Sequence, residues 1–151
     1  TTELSAALAL PQLERLDDIL RIRSKNAEYY YDNIENPIFD KGGYSDDVAY
    51  LGYPLFLIRD NYGILPSSSY SLNPTRHIRD AIVNYMFDEG IETRPLFPPI
   101  HKQPAYLRYF GNESYPNAEK ISSRGFYLPV HPFLSQNDLD YVVDKGNKFK
   151  L

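Results

Sequence analysis

The chain has 151 residues, of which 42 % are hydrophobic and 24 % charged, and its formal net charge at pH 7 is −4. This composition is typical of one globular domain, and the acidic balance argues against a general nucleic-acid-binding surface. The sequence contains no cysteine, which excludes disulfides, thiolate nucleophiles and cysteine-ligated zinc. Its apolar runs also fall short of the roughly 20 residues of a membrane-spanning helix, and we predict a cytoplasmic protein.

The first ten residues, TTELSAALAL, lack the features of a secretory signal peptide. They contain no basic n-region, and Glu3 stands where a signal would be apolar. The chain begins at Thr1 rather than at a methionine. Two interpretations of this start are open: a fragment of a longer protein, or a chain that has lost its initiator methionine.

Apolar residues recur at three-, four- and seven-residue steps from Leu4 to Ile34, apart from one step of five, which predicts an amphipathic helix over about residues 2–33. Pro11 lacks an N–H and clashes with the preceding turn, so the helix should kink or split. Helical spacing would direct the rings of Tyr29, Tyr30 and Tyr31 to different sides. We therefore expect core and rim packing for these tyrosines rather than a stacking platform.

Two later stretches predict strands, with a helix between them. Residues 48–59 are apolar at nearly every position, which is typical of a strand buried on both faces. Pro54 removes one ladder donor, so we expect it at a bulge or on an edge side. A helix should begin at Pro74 after an Asn73 cap and end before Gly90 in a left-handed conformation. Residues 91–97 should follow as a strand.

The last third of the chain predicts two helices around a short extended piece. The first helix should cover residues 116–124, and the extended piece is the sequence FYLPVH. Ser135 and Asp138 resemble a capping box at the start of the second helix. Gly146 should end that helix, and the residues after it should form a frayed tail.

This irregular order of helices and strands predicts an α+β fold. We expect a small, mostly antiparallel sheet covered by helices, with a long kinked N-terminal helix and a single domain over residues 1–151.

Sequence signatures of the common catalytic sites are missing, and no metal site is predicted. Among the three histidines, His77 should lie on the surface and His131 in a turn. His101 differs because it lies in GIETRPLFPPIHKQPAY, residues 90–106, where prolines fix backbone angles and reduce the entropy lost on positioning neighbours. Two roles for His101 are open: a side chain directed at a ligand, or one whose hydrogen bond holds the loop.

Three blocks in order along the chain carry a family pattern. Residues 1–30 contain Thr-Glu-Leu-x-Ala-Ala-Leu followed by Gln-Leu-Glu-Arg-Leu-Asp, and residues 90–106 contain Gly-Ile-x-x-Arg and Pro-x-His-x-Gln-Pro-x-Tyr. Residues 118–144 contain Ala-Glu, Leu-Pro, Leu-Ser-x-x-Asp and Tyr-Val. In these blocks the chain resembles the C-terminal portion of the DegT/DnrJ/EryC1/StrS family of nucleotide-sugar aminotransferases.

The resemblance implies the small domain of a fold type I transferase dependent on pyridoxal phosphate (PLP). The loop at residues 90–106 would lie beside the cleft where the sugar nucleotide meets the cofactor, and four motif positions would bind substrate: Arg94, His101, Lys102 and Tyr106. Arg94 or Lys102 would meet a phosphate of the nucleotide sugar. His101 and Tyr106 would bond sugar hydroxyls or order the loop.

The resemblance also implies what this chain lacks. In the family, the lysine that forms a Schiff base with PLP lies in a larger domain upstream of the matched positions, and none of the seven lysines here stands in a similar context. We expect no catalytic and no cofactor-binding residue in the chain, and no activity from the 151 residues alone. The complete protein would be a homodimer that transfers an amino group, with glutamate as the donor, to a keto nucleotide sugar.

Two alternatives remain open at this point. One is a dehydratase of the same fold that uses the pyridoxamine form of the cofactor and acts on a keto sugar, distinguished by a histidine in place of the upstream lysine. The other is a free-standing, non-catalytic domain that binds a sugar nucleotide or a partner subunit.

Overall fold

The computed structural model describes residues 2–58, 74–111 and 113–150, with side chains described from residue 78 onward in the second range. The described residues form α1 (Glu3–Glu14), α2 (Leu16–Asn33), β1 (Phe39–Lys41), β2 (Tyr53–Leu57), α3 (Pro74–Asp88), β3 (Arg94–Pro95), a 3-10 turn (Ile100–Lys102), α4 (Leu107–Phe110), α5 (Pro116–Arg124), β4 (Gly125–Leu128) and α6 (Gln136–Lys148).

The four strands form one antiparallel sheet in the order β1-β2-β4-β3. Leu55 of β2 pairs with Phe126 of β4, and Arg94 of β3 pairs with Tyr127. The inward side chains of the strands share one core with apolar side chains of α2, α3 and α6. The predicted α+β fold with a small antiparallel sheet and packed helices is confirmed.

The predicted strand at residues 48–59 was wrong in extent and in burial. β2 covers only Tyr53–Leu57, and its residues alternate between buried and half-buried. Val48 and Leu51, before the strand, are 47 % and 70 % exposed. Only one face of the sheet carries the core, so the apolar run does not correspond to a strand buried on both sides. Arg59 lies outside the described residues.

Pro54 lies on an interior strand, not on an edge strand. Its carbonyl accepts a hydrogen bond of 3.3 Å from the Gly42 N–H, so the proline nitrogen also faces the β1 side. β1 ends at Lys41, which pairs with Leu55. The missing donor therefore faces Gly42, just beyond the end of β1, and the Gly42–Pro54 pair keeps only the bond that Gly42 donates.

The N-terminal helix splits as predicted, but not at the proline. Pro11 lies inside α1, and the break falls at Arg15, whose φ and ψ are −103° and 6°. The Arg15 N–H donates to the Gln12 carbonyl at 3.3 Å, and its guanidinium donates to the Pro11 carbonyl. Two short helices meet at this residue.

Only the second half of the predicted amphipathic stripe is buried. In α2, Ala27 and Tyr30 are fully buried, whereas Tyr31 is 38 % exposed, which confirms core and rim packing for the tyrosine run. In α1, no residue is buried, and Leu4 and Leu8 are 71 % and 67 % exposed. The apolar side of α1 is therefore exposed in this chain, because no other described element covers that helix.

Helix α3 ends as the sequence predicts. Gly90 adopts a φ of +76°, and its N–H donates to the Phe87 carbonyl at 2.9 Å. The Ile91 N–H donates to the Met86 carbonyl at 2.8 Å, which completes a Schellman motif. The predicted Asn73 cap lies outside the described residues.

Helix α5 has the predicted bounds, and the Ser135–Asp138 capping box at the start of α6 is confirmed. Two predictions about the end of α6 were wrong. Gly146 lies inside the helix, which continues to Lys148, and the segment after it is anchored. The buried Asn36 amide donates to the carbonyls of Gly146 and Phe149, both at 2.9 Å.

Candidate functional site

The proline-rich segment at residues 90–106 leaves the sheet at the edge strand β3 and folds into consecutive turns. The Lys102 N–H donates to the Pro99 carbonyl and the Gln103 N–H to the Ile100 carbonyl, both at 3.0 Å. The Tyr106 N–H then donates to the Gln103 carbonyl at 2.9 Å. Since Pro98 and Pro99 also fix φ on entry, the prolines and these local bonds together restrict the backbone of this segment.

The start of the segment is locked to the sheet by close packing. The Leu96 N–H donates to the Gly125 carbonyl at 3.0 Å. The Leu96 side chain occupies the space where a Cβ at position 125 would lie, and the Phe56 ring closes the same space at 3.0 Å. Gly125 is therefore required for this close approach.

Glu119, in the first turn of α5, holds the C-terminal part of the loop against that helix. Its Oε1 lies 2.9 Å from His101 Nε2 and 3.4 Å from Lys102 Nζ. The same oxygen accepts from the Ser114 hydroxyl at 3.2 Å and from the Tyr115 N–H at 3.3 Å. One carboxylate oxygen thus holds groups from the 3-10 turn and from the residues that precede α5. We call these five residues the Glu119 cluster.

The electrostatics of the Glu119 cluster favour the ionised carboxylate. The hydrogen bond to His101 is the largest effect that lowers the pKa of Glu119, to about 2, and the bonds from Tyr115 and Ser114 and the Lys102 charge act in the same direction. Partial burial opposes this shift. The His101 ring also packs against the Tyr115 ring, with centroids 4.8 Å apart.

The four residues predicted to bind substrate fall into two groups. His101 and Lys102 meet at Glu119, but the His101 side chain is only 5 % exposed whereas that of Lys102 is 51 % exposed. Arg94 lies on β3, is 79 % exposed, and pairs with Glu92 at 2.7 Å. Tyr106 is 46 % exposed at the start of α4. The burial of His101 favours the interpretation that its hydrogen bond holds the loop.

Glu119 was not among the predicted site residues. The sequence feature that points to it is local. Pro116 begins a helix, and a carboxylate in the first turn can reach back to an N–H before the helix. The contact with His101 spans 18 residues. No rule of spacing predicts that contact.

Two cavities in the described part of the chain lie mostly outside the proline-rich segment, of which only Leu96 lines one of them. A groove of about 530 Å³ opens on the uncovered face of the sheet, where Pro54, Phe56, Tyr127 and Leu96 form its floor. A second, of about 470 Å³, lies between α2 and the loop that contains Asp46 and Asp47. None of the four predicted substrate-binding residues lines either cavity.

The lysines of the chain do not fit the Schiff-base anchor of PLP, which needs a desolvated, weakly basic amine. None of the seven is buried. Lys145 pairs with Glu89 at 2.5 Å, and that bond raises the pKa of Lys145 rather than lowering it. Lys102 shares Glu119 with His101. None of the chain's lysines therefore shows the burial that such an anchor requires.

Two further features are absent from the described ranges. No helix there combines the length and hydropathy needed to cross a membrane. The same ranges contain no group of three or more side chains of the types that hold a metal ion.

Comparisons with known proteins agree with this architecture. GDP-perosamine synthase from Escherichia coli O157:H7 is 30 % identical over 148 residues, which are 98 % of this chain and 36 % of that protein. GDP-4-keto-6-deoxy-D-mannose 3-dehydratase from Escherichia coli O55:H7 is 26 % identical over 93 % of this chain and 34 % of its own length. The crystal structure of the aminotransferase TlmJ from Streptoalloteichus hindustanus superposes with a TM-score of 0.73 at 22 % identity, covering 96 % of this chain and 35 % of the other.

The chain spans about a third of the length of the curated relatives that it matches. The family pattern itself extends over residues 1–146, nearly the whole sequence. It includes the proline-rich loop and the helix that carries Glu119. The chain belongs to the DegT/DnrJ/EryC1/StrS aminotransferase family.

Proposed function

We propose that this chain is the C-terminal small domain of a PLP-dependent aminotransferase that transfers an amino group, with glutamate as donor, to a keto nucleotide sugar. The observation that carries the proposal is the family match over residues 1–146. A large domain outside this chain would bind PLP, and the complete protein would work as a homodimer in the cytoplasm. The cofactor would take up and release the amino group, so no step at PLP is assigned to a residue described here.

The basic side chains of the loop support a substrate-facing role for this domain. Lys102 and Arg94 both carry exposed cationic groups. The backbone of Lys102 is fixed in the 3-10 turn and that of Arg94 in β3. A guanidinium and an ammonium suit the phosphates of a nucleotide sugar, the first with a planar fork and the second as a point charge. We propose that one or both contact the diphosphate.

Tyr106 and His101 would serve the same half of the reaction in different ways. The exposed Tyr106 would donate a hydrogen bond to a sugar hydroxyl. The buried His101 would hold the 3-10 turn through Glu119, so that its neighbour Lys102 is presented toward the substrate.

A dehydratase is the second candidate, and one observation favours it: a dehydratase is 26 % identical over 93 % of this chain. The residue that would separate the two reactions is expected in the large domain. The loop would contact a keto nucleotide sugar in either case.

The test is a product assay on the complete protein that contains this chain. The protein is reconstituted with PLP and supplied with glutamate and a panel of 4-keto and 3-keto nucleotide sugars, with glutamate omitted as the control. We expect a glutamate-dependent amino sugar nucleotide, detected by mass spectrometry. A deoxygenated sugar would identify the dehydratase instead, and the absence of both products across the panel would contradict the proposal.

A further inference from the structure

Four donors converge on one oxygen of Glu119, and they are not equivalent. The His101 contact is the shortest at 2.9 Å, and the Ser114 and Tyr115 contacts follow at 3.2 and 3.3 Å. The Lys102 contact is the longest at 3.4 Å. Lys102 is also half exposed, whereas the His101 side chain is buried.

These differences in distance and exposure determine which of the four donors can move away from Glu119. His101 is enclosed by the loop and by the Tyr115 ring, and the Tyr115 N–H is part of the backbone that starts α5. Lys102 has a flexible four-carbon stem and a solvent-facing ammonium. If Lys102 moves to another anion, three hydrogen bonds still satisfy the Glu119 oxygen, so its departure leaves no unpaired carboxylate.

We propose that Glu119 is a positioning residue for Lys102. In the free protein Glu119 pairs with Lys102 in the 3-10 turn, and it releases the Lys102 ammonium when a diphosphate binds. The inference rests on the proposed function, because that function supplies the diphosphate. Glu119 would act on the substrate only through Lys102 and through the turn that His101 anchors.

This arrangement gives two opposite effects on anion binding. The Glu119 charge competes with the diphosphate for Lys102, and this competition weakens binding. The hydrogen bonds of the same carboxylate fix the 3-10 turn, and this order strengthens binding. A substitution that removes the charge but keeps an acceptor oxygen separates the two effects.

Glu119→Gln keeps an oxygen that accepts from His101, Ser114 and Tyr115, and it removes the partner charge of Lys102. Partly exposed ion pairs contribute little, so we expect the dissociation constant for GDP to fall by about two- to fivefold. Glu119→Ala removes the acceptor as well, so the turn loses its anchor and the dissociation constant should rise above that of the wild type. A purely structural glutamate would give weaker binding with both variants.

The experiment is calorimetric titration of the complete protein with GDP, in the wild type, Glu119→Gln, Glu119→Ala and Lys102→Ala. Lys102→Ala should weaken binding, and adding Glu119→Gln to it should produce no further tightening. The matched control is Asp144→Asn, which breaks an exposed lysine–carboxylate pair with Lys148 on α6 and removes the same charge far from the loop. Its dissociation constant should equal that of the wild type.

Tighter GDP binding by Glu119→Gln that requires Lys102 supports the proposal, whatever product the enzyme makes. Equal or weaker binding by Glu119→Gln, tightening that persists without Lys102, or no GDP binding by the wild type overturns it. The product assay tests the proposed function separately, so either idea can fail while the other holds.

Discussion

Helices α1 and α6 lie at opposite ends of the chain and have 12 and 13 residues, yet they relate to the rest of the fold in opposite ways. α1 is rich in leucine and alanine and buries none of its residues. α6 is mostly polar, and it is bonded to the rest of the chain along its whole length. The apolar content of a helix therefore does not by itself determine whether that helix packs against the rest of the chain.

What holds α6 is a set of specific contacts. Its first turn is closed by the Ser135–Asp138 capping box. Tyr29 donates a short hydrogen bond to Asp140, and Lys145 pairs with Glu89. α6 also buries Leu139 and Val142 in the core, so an apolar face and polar anchors hold it together. The four leucines of α1 are exposed and have no described partner surface. We expect that surface to belong to the rest of the protein.

The largest effect should come from the core of the sheet. Phe126 is fully buried in β4 and packs edge-on against Phe39, with ring centroids 5.8 Å apart. Phe126→Ala should lower the free energy of unfolding by about 3–5 kcal/mol, because it leaves a cavity. Leu8→Ala in α1 should change the unfolding free energy of this chain by less than about 0.5 kcal/mol. Urea unfolding of the two variants measures both values.

The same two substitutions, made in the complete protein, test whether α1 packs on residues outside this chain. There, Leu8→Ala should cost about 2–5 kcal/mol, because α1 would pack on the remainder of the chain. An unchanged stability in that setting would show that α1 has no partner surface.

The next effect concerns the anchored end of α6. Asn36 is buried, donates to the Gly146 and Phe149 carbonyls and accepts from the Ile38 N–H. Asn36→Ala removes these three hydrogen bonds, and we expect the free energy of unfolding to fall by about 1–3 kcal/mol. Hydrogen exchange should also speed up at the Phe149 amide. The exposed Asn117→Ala serves as the control, and equal losses from both would mean that the C-terminal segment is not anchored by Asn36.

A smaller effect is expected at the start of α6. Ser135→Ala removes the side-chain acceptor for the Asp138 N–H and the donor to its carboxylate. The cost should be about 1 kcal/mol, measured by chemical denaturation. Ser135→Asp, which keeps a capping acceptor, should recover most of the loss, and failure to recover it would argue against the cap.

The smallest effect is a pH dependence at the Glu119 cluster. The pKa of Glu119 is lowered from 4.5 to about 2, so the folded state binds this proton less readily than the unfolded chain. Its contribution to stability should be present above pH 4.5 and should disappear as the pH falls toward 2. The difference in unfolding free energy between the wild type and Glu119→Gln should therefore shrink over that range. A difference that is independent of pH would contradict an ionised Glu119.

The sequence predicted those features of the fold that depend on local rules. The bounds of α5, the glycine end of α3 and the start of α6 follow from proline, glycine and capping preferences within a few residues. The anchoring of the tail was missed because Asn36 and Gly146 are 110 residues apart. The extent of β2 was missed because an apolar run does not tell which of its residues face the core.

The substrate-binding role of Arg94, His101, Lys102 and Tyr106 stays a prediction. The family resemblance pointed to the loop and to four of its residues, and the structure adds the exposure of Arg94 and Lys102. The buried state of His101 depends on Glu119 and Tyr115, which approach from the start of α5. No pattern within the loop contains that information, because the packing is tertiary.

The measurement that tests the central claim most directly is the kinetics of Lys102→Ala in the complete protein, with the two half-reactions followed separately by cofactor absorbance. A contact with the diphosphate is the same in the ground and transition states, so KM for the keto nucleotide sugar should rise about tenfold while kcat stays nearly unchanged. The half-reaction with the amino donor should keep its wild-type rate. If both half-reactions slow equally, or neither changes, the loop does not bind the nucleotide sugar and the account is wrong.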